Sequence, residues 1–480
     1  SLVLALLAGL GGMLLSQWLM SSALSWLPGR LPVWVTLELD ARFVVYFVGR
    51  TVLGAALVGV LPSLQAASRF HLQGVLSSGS ARLSGSASRR RGLYLLVAGE
   101  IALASLLLIL AGLFARGFLH LQQTEPGFCP DNLLTYRVSL PEVGYAQPVA
   151  RHQFFAEHLE TVRALPGVTG ASAGTPPPLE GHWGTLFEAE GAPPKAPGAP
   201  DPVVLRRLVY PRYLETLGVR LLAGRDFTPS DGPDSTRVVV VNDLLAQLFW
   251  PGQDAVGKRI RYAGAAGPWI EVVGVVQDVK HYGLDKPMRP GVYLPASQDP
   301  QASMAMVVRT SVDPNSLVPA IRDSVKGVNS DLAVHGVATM TDRLRESLWV
   351  PRFFCWSIGV FSAVALLLSV GGIYGVVSFV VVQRTSEIGI RMALGAQRGH
   401  VLQLVLGQGL KQVAAGLGCG VGGAFLLAHL LSRLVFGMQP ADPLIFTAVP
   451  ILLAGAALAA CWVPARRALR IDPVQALRRE

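Results

Sequence analysis

Charge is scarce in this sequence. Only 15% of its 480 residues are Asp, Glu, Lys or Arg, where an ordinary soluble domain carries about 25%, and residues 353–383 carry none. The shortfall points to a membrane rather than to water. Cysteine is scarce too: Cys129, Cys355, Cys419 and Cys461 have neither a disulfide framework nor zinc-site spacing. No Ser/His/Asp arrangement is evident. His152 and His158, the closest histidine pair of the central region, are six apart and fall on different faces of a helix, unlike an i, i+4 metal pair. The sequence therefore predicts no catalytic residue, no metal site and no cofactor in this chain. Its start, Ser1 within an apolar run, lacks a basic n-region and a small-residue cleavage site. It reads as a truncated helix of a longer protein rather than a signal peptide.

One motif is nearly complete. Gly252-Gln253-Asp254-Ala255-Val256-Gly257-Lys258-Arg259 fits G-x-x-x-x-G-K-[ST] up to its last position, where Arg259 offers no hydroxyl for Mg²⁺. Trp250-Pro251 is a poor strand end, and the following RIRYAG alternates like a strand instead of opening a helix. A turn between strands accounts for it better than nucleotide binding.

What is abundant is long apolar runs. A helix crosses a bilayer with about 20 apolar residues, and six stretches qualify: about 2–24, 43–62, 93–115, 353–382, 410–435 and 444–463. Between the third and fourth, residues 120–350 have soluble composition and enough length for a domain of their own. The net charge of +10 is concentrated in three segments on one side: Arg69, Arg82 and Arg89 to Arg91; Arg384, Arg391 and Arg398; and Arg466, Arg467, Arg470, Arg478 and Arg479. The positive-inside rule makes those segments cytoplasmic and the large domain external. The basic balance is thus topology, and no nucleic-acid partner is expected. Arg50 and Glu100 lie well inside spans and are read as structural polar groups rather than an ion path.

The chain also echoes itself. Pro62-Ser63-Leu64-Gln65-Ala66 parallels Pro464-Ala465-Arg466-Arg467-Ala468, and Gln73-Gly74-Val75-Leu76 parallels Val474-Gln475-Ala476-Leu477. Each copy follows two spans joined by a short loop, at 25–42 and 436–443. The expected plan is therefore the last two spans of one repeat (1–62), a basic Ser/Gly/Arg-rich cytoplasmic linker (63–92), a first span of the second repeat (93–118), the external domain (119–350), a second span (351–383), a cytoplasmic helix (384–398), two spans (399–463) and a basic tail (464–480).

In the external domain, strands are predicted at 133–140, 237–241, 272–276 and 305–310, and helices at 149–165 and 316–328, with proline-rich loops at 175–178 and 192–202. The fold class is an α-helical transmembrane bundle with one large mixed α/β domain. In the spans, Gly371-x-x-x-Gly375 and Gly416-x-x-x-Gly420 allow close helix approach.

The stretch RTSEIGIRMALGA (384–396) forms a short helix as it leaves the membrane. Ser386 suits the N-cap, Glu387 the positive helix start, and Glu387 and Arg391 are spaced i, i+4 in the favourable order. Gly395 can stop the helix before the next span. It can rest on lipid head groups or dock into a cytoplasmic partner.

RTSEIGIRMALGA, with VLQLVLGQGL (401–410), LLSRLVFGMQPADPLIF (430–446) and VPARRALRIDPVQALRRE (463–480), resembles the C-terminal half of MacB/FtsX-like ABC transporter permeases. ALPGV (164–168), GVRLLAGRDF (218–227), VVVVNDLLAQLFWPGQDAVGKRI (238–260) and VVGVVQDVKHYGL (272–284) resemble the periplasmic core domain of that family. The duplicated plan, with LPSLQAASR (61–69), is most similar to the acidobacterial-type duplicated orphan permeases. The resemblance implies a multi-pass protein of the bacterial inner membrane, not itself an enzyme, that works with a separate cytoplasmic ABC ATPase holding the ATP and Mg²⁺. It implies that Glu387, Ile388, Gly389, Arg391, Met392, Leu394 and Gly395 form the ATPase-coupling helix. Membrane lipid and a periplasmic adaptor or enzyme are the further partners it implies. The implied task is export or extraction of an amphiphile, drug, peptide or lipoprotein; the alternative, on the FtsX side of the family, is a signalling scaffold controlling an external or cell-wall enzyme.

Overall fold

The computed structural model describes residues 82–468 apart from 182, 193–201, 265–266, 384–397 and 432–440, with scattered positions between 7 and 56. The loop at 25–40, the echo segments at 62–66, 73–76 and 474–477, the linker up to 81, the proline patch at 193–201 and the tail from 469 lie outside the described residues. The chain divides into two compact units, one made of Ser1–Phe118 with Pro351–Glu480, the other of Leu119–Val350.

Among the described residues four helices are long and apolar enough to cross a membrane, at Tyr94–Gln123, Trp349–Val382, Gly409–Leu431 and Pro443–Pro464. They belong to α1 (Arg82–Gln123), α7 (Trp349–Gln383), α8 (Arg398–Leu431) and α9 (Pro443–Ala468). For the two earliest expected spans, scattered helical positions and the short apolar helix Val44–Leu53 are described. Most residues on the four helices are not buried within the unit, and Leu95, Leu103, Leu367, Leu426 and Ile451 are each more than 60% exposed. In water that would be costly, but in lipid those side chains are in a matching solvent.

The second unit is mixed α/β. In chain order it runs β1 (Leu133–Ser139), α2 (Pro148–Arg163), β2 (Val168–Thr175), β3 (Trp183–Ala189), β4 (Val203–Val209), α3 (Tyr213–Leu217), β5 (Leu221–Gly224), β6 (Val238–Asn242), α4 (Asp243–Phe249), β7 (Arg259–Tyr262), β8 (Ile270–Val276), β9 (Gly291–Pro295), β10 (Ser303–Thr310), α5 (Val318–Val328), β11 (Val334–Thr339) and α6 (Met340–Ser347). The strands form two sub-structures. β11-β1-β10-β2 is a four-stranded antiparallel sheet. β4-β3-β7-β8-β6-β9 closes on itself through the parallel β4–β9 pairing, giving a six-stranded barrel with β5 added beside β8. Two residue pairs join sheet to barrel, Gly174↔Val209 and Thr175↔Leu208.

Alternation along each strand explains how one run serves two cores. In β6, Val239 and Val241 enter the larger cluster, while Val238 and Val240 enter the smaller one with Val209, Tyr213, Phe227 and Tyr293. That is why VVVV is buried on both faces. α2 begins at Pro148, whose missing N–H costs nothing at a helix start. It lays Phe154, Phe155, Leu159 and Val162 against the sheet and ends before Gly167, which is left-handed at φ +89°. Asn242 caps α4 by accepting from Leu245 N at 3.2 Å, and its amide donates to Asp278 and to the carbonyl of Arg289.

The expected strands at 133–140, 237–241, 272–276 and 305–310 and both expected helices are present, with ends shifted by a few residues. The near-P-loop segment is a turn, as its sequence indicates, but it joins α4 to β7 rather than two strands. Asp254 accepts from Val256 N within it, and Gly252 and Gly257 both have positive φ.

Candidate functional site

The coupling-helix residues Glu387, Ile388, Gly389, Arg391, Met392, Leu394 and Gly395 lie outside the described residues. The packing glycines are described. A Cβ on Gly416 would come within 2.7 Å of the carbonyl oxygen of Ala98 and 2.8 Å of Ile101 Cβ. On Gly420 it would overlap the Ser105 hydroxyl and reach 3.0 Å from Ala102 Cα. α8 therefore touches α1 backbone to backbone along this pair. For Gly371 and Gly375 the outcome differs: among the described residues nothing lies within 4 Å of either Cβ position. The close approach falls one residue on, at Gly372, which faces the carboxyl group of Glu100. Each step turns the helix by about 100°, so one residue separates a seam from an open face.

The contacts converge on α1. Ser362 of α7 donates to the carbonyl of Leu107 at 2.8 Å, and Ser369 to that of Glu100 at 3.3 Å. Gly112 makes room for Ile445 of α9. At the same end, Arg116 Nη1 lies 2.5 Å from both carboxylate oxygens of Asp442, which is buried and also accepts from Leu444 N at 3.0 Å at the start of α9. Glu100 sits in this seam, and Arg50 reaches Tyr46 OH at 3.4 Å. Sequence reading missed the Arg116–Asp442 pair, although Asp442 directly before Pro443 is the signature of a capped helix start.

The α/β unit has a cleft of about 720 Å³, a size that accommodates a drug-like molecule. It opens between α2, the segment from Tyr210 to Glu215, and the loop from Phe227 to Pro233. His152 stacks on Tyr210 with ring centroids 5.6 Å apart and planes 5° from parallel, and its Nδ1 is 3.3 Å from the Tyr210 hydroxyl. Burial keeps the His152 pKa below its ordinary value. Arg212 bonds Glu215 through two nitrogens at 2.9 and 3.2 Å, and these bonds hold the Glu215 carboxyl below its usual range. Arg212 is also left-handed at φ +68°, a conformation costly for a residue with a side chain. Arg225 grips Asp231 at 2.8 and 2.9 Å, and Thr228 N donates to the same carboxylate. The walls of the cleft are thus ion-paired.

His158 faces the other way, into the core, with Nε2 2.9 Å from Tyr136 OH, and burial lowers its pKa to about 4. The two histidines do not meet, as their spacing requires. Among the described residues no group of three His, Cys, Asp or Glu is placed to hold a metal ion.

Residues 101–327 match the MacB-like periplasmic core domain, and residues 359–473 match the FtsX-like permease C-terminal domain. The chain belongs to the MacB/FtsX-like permeases. The core-domain match of this permease runs from within α1 into α5, and the C-terminal match from within α7 past the end of α9. Among curated relatives, it is 29% identical over 289 residues to the macrolide export ATP-binding/permease protein MacB of Rhodopseudomonas palustris, covering 56% of this chain and 42% of that protein. It is 30% identical over 288 residues to the protein of the same name from Hahella chejuensis, again covering 56% and 42%. The permease thus spans less than half the length of the curated relatives it matches. Among solved structures, the periplasmic region of MacB from Actinobacillus actinomycetemcomitans is 15% identical, with a TM-score of 0.31, covering 46% of this chain and 94% of that one.

Proposed function

We propose that this membrane permease is the membrane-embedded subunit of an ABC-type exporter, driven by ATP hydrolysis on a separate cytoplasmic polypeptide. The observation that carries the reading is the order of parts: a MacB-like core domain followed by an FtsX-like permease domain, with apolar helices on either side of the core. The matched relatives carry both "ATP-binding" and "permease" in their names, and this chain aligns with 42% of them. In this reading the ATPase docks on the helix at 384–398, and the linker and tail are cytoplasmic, in keeping with their arginines. In this reading residues 1–62 and 93–463 belong to successive repeats of a duplicated permease. Its cargo is an amphiphile, drug, peptide or lipoprotein, released or extracted on the periplasmic side with an adaptor.

The decisive experiment places a photo-crosslinking residue at Met392 of the complete protein in native membranes and identifies what it captures. Capture of an ABC ATPase, abolished by Glu387→Lys, is expected. Capture of lipid alone, with ATPases abundant in the membrane, would replace docking by an interfacial helix and remove the main support for ATP-driven export.

A further inference from the structure

The cleft in the α/β domain lies between the domain's two sub-structures, a common setting for ligand sites. One wall is α2, which packs against β2 of the sheet. The opposite wall comes from the barrel: the loop at 227–233 follows β5, and Ser297 follows β9 and donates to the carbonyl of Asp231 at 2.7 Å. Tyr210 and Pro211 join the two, held by the Ser172 hydroxyl of β2, which lies 3.1 Å from both of their carbonyl oxygens. Four-residue spacing puts His152, Ala156 and Glu160 on one stripe of α2, and the small side chain of Ala156 keeps the middle of that stripe open. Rings dominate the rest of the lining, with His152 stacked on Tyr210 at one side and Phe227, Pro229 and Pro233 at the other.

Charge on this lining does not cancel. Glu160 is paired with Arg163 at 2.6 Å, Glu215 with Arg212 and Asp231 with Arg225. Glu157, also on the lining and exposed, has no ion-pair partner among the described residues. Asp226, next to Phe227, is a second acid without one; its carboxylate accepts from Phe227 N at 2.7 Å. His152 adds no opposing charge, because burial holds its pKa below the ordinary value and leaves the ring neutral at neutral pH. The cleft therefore combines an apolar, ring-lined body with a net negative edge.

We propose that the cleft binds an arylalkylammonium, a monocation with a ring system and an alkyl amine arm, its ring beside His152, Tyr210 and Phe227 and its ammonium at Glu157. Ring faces stack on ring faces, and a single cation answers the unpaired carboxylate. The helix sets the length of the arm: Glu157 is five residues beyond His152, about 7.5 Å along the axis, which a pentyl-length arm spans. The volume of about 720 Å³ has room for such a molecule. Touching both walls, the ligand draws sheet and barrel together. Binding needs no ATPase and stands whether or not the permease exports this ligand.

The test titrates dansylcadaverine, a ring system on a pentyl ammonium arm, into the full chain in zwitterionic lipid nanodiscs, follows the dansyl fluorescence and subtracts empty discs. A saturable signal is expected. N-acetyl-dansylcadaverine, which keeps ring and arm but not the charge, and Glu157→Gln, which alters an exposed side chain and keeps the fold, should each weaken binding about fivefold, the upper end for an exposed ion pair. Dansyl-6-aminohexanoate, an anion of the same build, should bind more weakly still. Ala156→Phe, which sets a ring in the middle of the stripe, should abolish the saturable signal while Tm is kept. No saturation above empty discs, equal affinity for all the probes, unchanged affinity in Glu157→Gln, or saturation kept in Ala156→Phe each overturns the assignment. No ATPase is present in these titrations, so a negative result leaves the export reading standing, and failure of the capture at Met392 leaves this site standing.

Discussion

At Gly420 of α8 a single methyl group would strike the hydroxyl of Ser105 and the backbone of α1. In the periplasmic core domain the equivalent central positions are filled by Phe155, Trp250, Tyr136 and Tyr213. The two regions are built from the same chain under different solvents. In water, burying large apolar side chains is itself the driving force, about 1.5–3 kcal/mol for each one fully buried. In lipid that force disappears between helices, so cohesion comes from close backbone approach and a few polar contacts. Small residues are therefore to the bundle what aromatic residues are to the domain.

The sharpest way to break this comparison is to exchange the sizes. Gly420→Leu should abolish the α1–α8 seam, because backbone atoms of α1 cannot move aside. Its cost exceeds the roughly 1–3 kcal/mol of ordinary overpacking, and the expected result is loss of monodisperse protein on size-exclusion chromatography. A normal elution profile would show that this seam does not hold the bundle. In the domain the reverse change matters: Phe155→Ala should remove about 3–5 kcal/mol, read as a lowered Tm of the domain transition with the bundle transition unmoved.

Acid should separate the two regions next. The folded pKa of His158 is about 4, below the roughly 6.5 of an unfolded histidine. The unfolded state therefore binds the extra proton first, and domain stability is complete above pH 6.5 and falls as pH drops towards 4. The total is at most about 3 kcal/mol, and His281 acts in the same direction. His158→Gln should flatten the profile of domain Tm between pH 7 and 4.5; an unchanged slope would assign the acid sensitivity elsewhere. The smallest effect is expected at Gly371→Ala and Gly375→Ala. Both Cβ positions are open among the described residues, and replacing glycine in a helix gains up to about 1 kcal/mol. A Tm lowered by several degrees would mean that these glycines meet a neighbour after all.

How much of this was readable in advance follows from the same contrast. An apolar run of twenty residues announces a span without reference to anything else, and the four described spans fall where their runs do. Strands β6 and β8 are equally plain because VVVV and VVGVV have no other use. β4 was hidden because Arg206 and Arg207 interrupt VVLRRLV, and β9 because the four residues between Pro290 and Pro295 offer no periodicity. β2, with the sequence VTGASAGT, is made of residues too small to advertise a strand. For the sites, glycine pairs marked which helices pack but not the facing residue, as the shift from Gly371 to Gly372 shows. Arg116 and Asp442 are separated by 326 positions, and no local pattern can join them.

The junction between sheet and barrel has a mechanical meaning. The strand ladder between sheet and barrel has two residue pairs, Gly174↔Val209 and Thr175↔Leu208, backed by Tyr210 N donating to the Ala173 carbonyl and the Ser172 hydroxyl donating to that of Tyr210, while β1 and β10 share seven pairs. Pulled from its two chain ends, the domain is loaded first across β1 and β11, the paired strands nearest those ends, while the barrel, inserted between β2 and β10, lies outside that path.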